Sequence, residues 1–430
     1  MTLRLSTSVA AIALTAAPLA AQDLITRDRV GLPDAPNAMS FRLTAYDLYS
    51  SDLEMRAAFE ALFTEFIEAR PDWRIDTQLA TDNIGEEQAR MLEQARAGRG
   101  PDCAMIDSSQ LATFKAAGVL APMNDHWAEE EIADLFPFVR EAVTDADGNL
   151  VAWWWFTDLR VLYRDTAVVP EAPQTWDELE AAAVAASEAG LEGILFNGAR
   201  WEGTTFDWLG NFWAAGGELV DEDGRPVFGE GENREAFLEA LGYYRSLVES
   251  GAAPGRVTTI NNYDEFNAAA AAGTAAMFVG GNWQYGQLAG TLSEERFADW
   301  AVSELPGPTA EDRATGTGGW TIAALSDDPE KVQLCAEMVK EIYSGAGNAV
   351  QGLLPTSAAQ YETYDAFEGP QFDLFAEALV NGRPRPGAAI YPEISNQIQI
   401  LMGDVLSGAA EPEAALDAAF EASLAAYERL

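Results

Sequence analysis

A single histidine, His126, and two cysteines, Cys103 and Cys335, set narrow limits on the chemistry open to this chain. A Ser-His-Asp or Cys-His arrangement would have to use His126, which stands in a polar stretch with no nucleophile signature beside it. Zinc needs several His or Cys at set spacings, and the sequence has none. The run Gly316-Thr317-Gly318-Gly319 lacks the trailing Gly-Lys of a phosphate loop and does not follow the dinucleotide fingerprint. Two Asp-rich segments, Asp145–Asn149 and Asp221–Gly224, read as hairpin turns rather than calcium loops. Phe156 stands where the first would need its Glu, and Pro226 where the second would need its Gly. One enzymatic alternative survives: a secreted glycosidase needs only two carboxylates flanking a bond, and the chain has 69 acidic residues. The expectation is a protein with no catalytic residues, no metal and no cofactor.

Aromatic side chains near glycines and carboxylates are more informative. Trp153-Trp154-Trp155-Phe156 is followed at once by Thr157 and Asp158. Trp283 and Tyr285 follow Gly280-Gly281, and Trp320 follows Gly318-Gly319. Glycine pairs let the backbone bend and let a ligand come close. A ring that packs on apolar C–H faces, beside an Asp or Arg that takes hydroxyls, suits a sugar. Trp283 and Trp320 are read as ligand walls. Alternation puts at least one of Trp153–Trp155 in the core without saying which.

These residues need elements to position them. Phe41–Ala45, Trp73–Leu79 and Cys103–Ile106 read as strands, and each is followed by a helical segment. Ser51 and Glu54 form a capping box for the first helix, and Thr175 and Glu178 form another further on. Strands alternating with helices argue a parallel α/β sheet, whose ligands lie at the carboxyl ends of the strands. Tyr46, Asp47, Asp82 and Asp107 fall at such ends. Further strands are expected at Leu159–Arg164, Ala275–Val279 and, after a Gly-rich turn, Thr321–Leu325, with a mostly helical remainder.

The ends and composition bound the setting. Arg4, an apolar run from Val9 to Leu19 and small residues before Gln22 read as a cleaved secretory signal over residues 1–21. The run is shorter than the about 20 residues that span a bilayer, and no later stretch is long and apolar enough for membrane insertion. The remaining chain of about 400 residues suits two lobes better than one core. With 48% hydrophobic residues it can bury a large interior. Its net charge of −43 repels nucleic acid and anionic membranes, and the acids are spread out as in a solvated surface. The two cysteines could form one bridge in an oxidising compartment; they are read here as two separate buried thiols.

Several motifs in a fixed order carry a family resemblance. They are Gly100-Pro101-Asp102 with Ile106-Asp107, Phe156-Thr157-Asp158 leading to Leu162-Tyr163-Arg164, and Pro173 to Leu179. Ala276-Met277 to Trp283, Gly319-Trp320, Leu354-Pro355-Thr356, and Arg383-Pro384-Arg385 with Tyr391-Pro392-Glu393 follow. Over nearly all of the mature chain the sequence resembles the extracellular solute-binding proteins of ABC-type carbohydrate importers. Phe196-Asn197-Gly198, Trp201-Glu202-Gly203 and Asn282-Trp283-Gln284-Tyr285 look most like the trehalose/maltose-binding branch.

The resemblance implies an α/β, two-lobe periplasmic-binding-protein fold of type II, each lobe a mostly parallel sheet flanked by helices, joined by a multi-strand hinge at Phe156–Arg160 and Met277–Gly281. Residues 22–156 plus 282–345 are expected in lobe 1, and 157–281 plus 346–430 in lobe 2. The implied ligand is a small carbohydrate, a disaccharide or α-glucoside first, with a polyol or an anionic (sulfonated or phosphorylated) sugar as the alternative. Asp107 and Asp158 would accept hydroxyls; Phe156, Trp283, Tyr285 and Trp320 would be stacking walls; Gly319 would supply backbone and Arg385 a donor. Glu202, Tyr46 and Asp82 are further candidates. Phe156 lacks the hydroxyl of the Tyr common in this branch, and Gln284 replaces its usual proline. The implied partners are the permease subunits, the setting the periplasm and the state monomeric. A sensor that presents ligand to a chemoreceptor shares this fold.

Overall fold

The computed structural model describes residues 24–50, 52–81, 84–351 and 353–429. The expected signal segment and Asp82 lie outside the described residues, as does Ser51. The strands are β1 (Ile25–Thr26), β2 (Arg29–Gly31), β3 (Asn37–Leu43), β4 (Trp73–Leu79), β5 (Cys103–Asp107) and β6 (Trp153–Asp158). Then come β7 (Arg160–Asp165), β8 (Glu192–Leu195), β9 (Ala275–Gly281), β10 (Trp300–Ser303), β11 (Thr315–Ala324) and β12 (Gly382–Pro384). One sheet has the order β1-β2-β4-β3-β5-β11-β12 with β6 on β11, and the other β10-β7-β9-β8. Helices flank both.

The sheets are mixed rather than mostly parallel. β3 is parallel to β4 and β5, β11 to β12, and β8 to β9. β11 runs against both β5 and β6, and β7 against β9 and β10. β7 and β11 begin beside the crossing and so run opposite to β9, β5 and β6, which end there, while β2 runs against β1 and β4 at the far edge. The chain passes from β6 to β7 with only Leu159 between, and Arg160 N–H donates to Thr315 Oγ1 at 2.8 Å where β11 crosses. Strand pairing also departs from the boundary expected at 282. β10 lies against β7, so the chain returns to the first sheet only with β11. In the other direction, Ser357 bridges Leu135, and β12 pairs with β11, so these parts of the segment expected in lobe 2 from 346 onward lie against the first sheet.

The expected turn at Gly316–Gly319 is part of β11. The glycines there serve packing as well as bending. A Cβ on Gly316 would meet the Phe206 ring at 2.9 Å. Gly319 has φ +124°, and a Cβ there would sit 2.0 Å from the Phe156 carbonyl oxygen, so a side chain is excluded twice over.

Three local expectations change or sharpen. The helix Leu53–Glu68 is capped by Asp52, whose Oδ1 accepts from Glu54 N at 2.9 Å and Met55 N at 3.1 Å, one residue later than the expected cap. The turn reading holds at both Asp-rich segments: Asp145 Oδ1 accepts from the amides of Asp147 and Asn149, and Asp221 Oδ1 from those of Asp223 and Arg225. The two cysteines do not stay separate. Cys103 on β5 and Cys335 on the helix Pro329–Met338 form a disulfide with Cα atoms 5.8 Å apart. Their distance in sequence hid a contact that the helix makes by folding back over β5.

All three of Trp153–Trp155 are core. Trp153 stacks on Trp127, Trp154 meets Phe138 edge-on, and Trp155 meets Phe59 and Tyr343.

Candidate functional site

The parallel strands of the first sheet end at one edge, and the expected residues gather there. Trp320 pairs with Asp107 across β11–β5, Phe156 pairs with Trp320 across β6–β11, and Asp158 faces Gly318. The loop after β3 lays Tyr46 over this edge, with its ring centroid 5.9 Å from Phe156 and 6.2 Å from Trp320. Tyr46 is 46% exposed while Trp320 is 5% exposed, so Tyr46 is the lip and Trp320 the floor. A cavity of about 250 Å³ opens beside them, with Thr44, Leu79, Thr81 and Gln88 in its lining. A larger one, about 930 Å³, opens at the opposite end of β5 near Pro101, Asp102 and His126 and holds none of the expected residues.

Asp107 follows the last apolar residue of β5 and turns the chain: its Oδ1 accepts from Ser109 N at 2.9 Å and Ser109 Oγ at 2.6 Å. Arg385, just past β12, lies 3.6 Å from Asp107 Oδ1 and donates to Glu202 Oε1 at 3.2 Å. Burial alone would lower the Arg385 pKa; the charges of Asp107, Glu202 and Asp158 outweigh it, and the group is held more firmly protonated than usual. Glu202 opens the helix Glu202–Ala214 and is itself anchored, accepting from Tyr391 OH at 2.6 Å and Ser395 Oγ at 2.5 Å. Expected residues Asp107, Glu202 and Arg385 thus form one ionic cluster.

The opposite wall was only partly foreseen. Trp283 begins the helix Trp283–Thr291 and meets Tyr263 edge-on at 5.0 Å. Tyr285 is not brought to the same place; its ring contact is with Phe297. Gln284 is buried, and its Oε1 accepts from Gly281 N at 3.0 Å, so it holds the turn from β9 into the helix. Asp47, at a strand end, also points inward: it is wholly buried and accepts from Tyr343 OH at 2.6 Å, and burial raises its pKa to about 7.

Sequence reasoning missed Arg160, Phe206, Asp207 and Tyr263. Arg160 Nε donates to Asp207 Oδ1 at 2.6 Å and Nη1 to Asp158 Oδ1 at 3.1 Å. Asp207 also accepts from Tyr263 OH at 2.7 Å and Asn197 Nδ2 at 2.7 Å. Burial pushes its carboxyl pKa up and these donors pull against it; three donors on one carboxylate favour the ionised pair. The Phe206 ring lies between two guanidinium groups, 4.1 Å from Arg160 and 4.4 Å from Arg385. A signal existed: Arg160 is a charge in the otherwise apolar run Leu159–Tyr163, and Asp207 a charge in the apolar helix around Phe206–Phe212.

The arrangement can hold a small polar molecule between rings and carboxylates. Among the described residues, no group of three or more His, Cys, Asp or Glu is placed to hold a metal, and no helix is long and apolar enough to cross a membrane. Two α/β lobes joined by crossing strands, with the polar and aromatic candidates where they meet, are the architecture of a solute-binding protein. The family model for bacterial extracellular solute-binding proteins matches residues 50–342, and the chain belongs to that family. A relative from Deinococcus radiodurans, a probable ABC transporter-binding protein, is 29% identical over 66% of this chain and 71% of its own length. A mannitol-binding protein of Pseudomonas aeruginosa is 25% identical over 60% of this chain and 59% of its own. The crystal structure of a cyclic α-maltosyl-1,6-maltose binding protein from Arthrobacter globiformis superposes with a TM-score of 0.73 at 22% identity, over 90% of this chain and 98% of that one, which establishes the shared two-lobe fold. The family binds solutes, so the glycosidase alternative is set aside.

Proposed function

We propose that this chain is the periplasmic binding component of an ABC-type sugar importer, which captures a neutral carbohydrate between its lobes and delivers it unchanged to the permease. The observation that carries this is the pairing of ring faces with carboxylates at one strand edge: Tyr46, Phe156 and Trp320 beside Asp107 and Asp158. Rings pack on sugar C–H faces, and the carboxylates accept hydroxyls. Trp283 across the hinge supplies the second wall. A disaccharide or α-glucoside fits the reading best, in line with the maltosyl-binding structural neighbour; the mannitol-binding relative favours a polyol as the second reading.

An anionic sugar is the weaker alternative. Both arginines beside the cleft, Arg160 and Arg385, already face carboxylates, and Arg200, two residues before Glu202, donates to Asn396 at 2.7 Å. Four acids, Asp107, Asp158, Asp207 and Glu202, stand against these two cleft arginines, so a phosphate or sulfonate would enter a field of its own sign. The disulfide supports export to an oxidising compartment. Titrating tryptophan fluorescence with maltose, trehalose, mannitol, glucose 6-phosphate and an amino acid tests the reading. A saturable response to a neutral sugar or polyol is expected, on the order of micromolar affinity or −8 kcal/mol. A response to the amino acid alone would overturn it.

A further inference from the structure

Arg160 is a buried cation at the chain crossing whose role the sugar reading above does not use. Its backbone is tied on both sides to Thr315: the amide donates to Thr315 Oγ1 at 2.8 Å, and that hydroxyl donates back to the Arg160 carbonyl at 2.9 Å. The position is therefore fixed where the start of β7 meets the start of β11. The side chain is 4% exposed, so it cannot itself meet a ligand in the cleft.

What it touches is more telling. Its guanidinium donates in two directions at once, to Asp207 behind it and to Asp158 in front. Asp207 is held from three sides and acts as an anchor. Asp158 is different. It sits at the end of β6 with its side chain 21% exposed, and Arg160 is the one hydrogen-bond donor to its carboxylate among the described residues. Phe206 lies under the guanidinium plane at 4.1 Å, and the Trp283 ring centroid is 5.0 Å away. A planar, always charged fork can bridge two carboxylates while stacking on a ring; an ammonium cannot do all three.

Resting on the sugar-binding reading, we infer that Arg160 is a positioning residue, which fixes the Asp158 carboxylate toward the cleft so that its remaining acceptor capacity is aimed at a sugar hydroxyl. It relays the rigidity of the Asp207 anchor to the cleft edge. Asp158 is thereby ordered before ligand arrives, and binding does not have to freeze it.

A double-mutant cycle separates this from a purely structural role. Removing Arg160 alone would strand Asp207 as an unpaired buried charge, so the cycle is built on Asp207→Asn. The affinity of Asp207→Asn is compared with that after adding Arg160→Met, Asp158→Asn, or both, using the tightest-binding of maltose, trehalose and mannitol. Thermal unfolding confirms that each variant is folded. In the Asp207→Asn background, Arg160→Met should weaken binding by roughly tenfold or more, the scale of a hydrogen bond to a charged group. With Asp158→Asn already present, the same change should cost little further. Equal losses with and without Asp158, or no loss in either case, would overturn the role assigned to Arg160. A wild type that binds none of the three probes overturns the sugar reading and this inference with it, whereas sugar binding with independent losses overturns the inference alone.

Discussion

Trp320 shows what a single residue contributes to the clamp. Its place after two glycines marked it as a wall, and the structure sets it under Tyr46 at the end of the ladder with Asp107. Trp320→Ala should weaken sugar binding by roughly 1–3 kcal/mol, the scale of burying a large side chain, measured by fluorescence or calorimetric titration. An unchanged affinity would make it a core residue. Asp47 gives a second, independent test. Its carboxyl titrates near 7 in the folded chain, against a usual value of 3.8, because it is buried. Between those two pH values the folded state holds a proton that the unfolded state has lost. The group's contribution to stability therefore falls as pH rises from about 4 to about 7 and is level above that. Asp47→Asn removes this slope, so its unfolding temperature should rise relative to wild type across that window; parallel pH profiles would contradict the assignment. The sequence singled out Asp107, Asp158 and Arg385 because they stand at motif positions, and the structure brings them near one another. Arg160 and Asp207 were missed because a lone charge in an apolar run signals a buried ion without naming its partner. Tyr285 misled because sequence gives its distance from Trp283 but not the side of the helix it faces.

Elements were legible where periodicity was strong and obscure where strands cross. β3, β4 and β5 followed from alternation and flanking turns, and the candidate residues Tyr46 and Asp107 lie at the carboxyl ends of β3 and β5. β11 was only half seen, since Gly316–Gly319 reads as a glycine-rich turn and its strand character depends on β6 and β12 lying beside it. The same long-range dependence concealed the disulfide. Cys103 and Cys335 are 232 residues apart, and nothing local ties them. The bond pins the helix Pro329–Met338 to β5, the strand that ends in Asp107. Replacing both cysteines by alanine should cost about 2–4 kcal/mol in urea unfolding. Stability equal to wild type would show that this clasp contributes nothing. Sugar affinity should change little, because Cys103 lies at the opposite end of β5 from the cleft.

For the molecule as a whole, the architecture ties function to the crossing strands. Leu159 is the step between the sheets, Thr315 fastens the crossing, and Arg160, Arg385, Phe206 and Trp283 collect around it. Under the proposed function, a ligand that touches both walls at this place would bind a closed arrangement better than an open one and so draw the lobes together. The net charge of −43 favours solubility, and the four acids it includes here disfavour an anionic ligand. The most direct test of the clamp is small-angle X-ray scattering of the protein alone and saturated with the tightest-binding neutral sugar, with the sugar recovered afterwards and its composition checked. A smaller radius of gyration in the bound state, with the sugar returned intact, is the expected result. An unchanged radius with sugar bound, or a sugar returned cleaved, would contradict a clamp that holds its ligand without altering it.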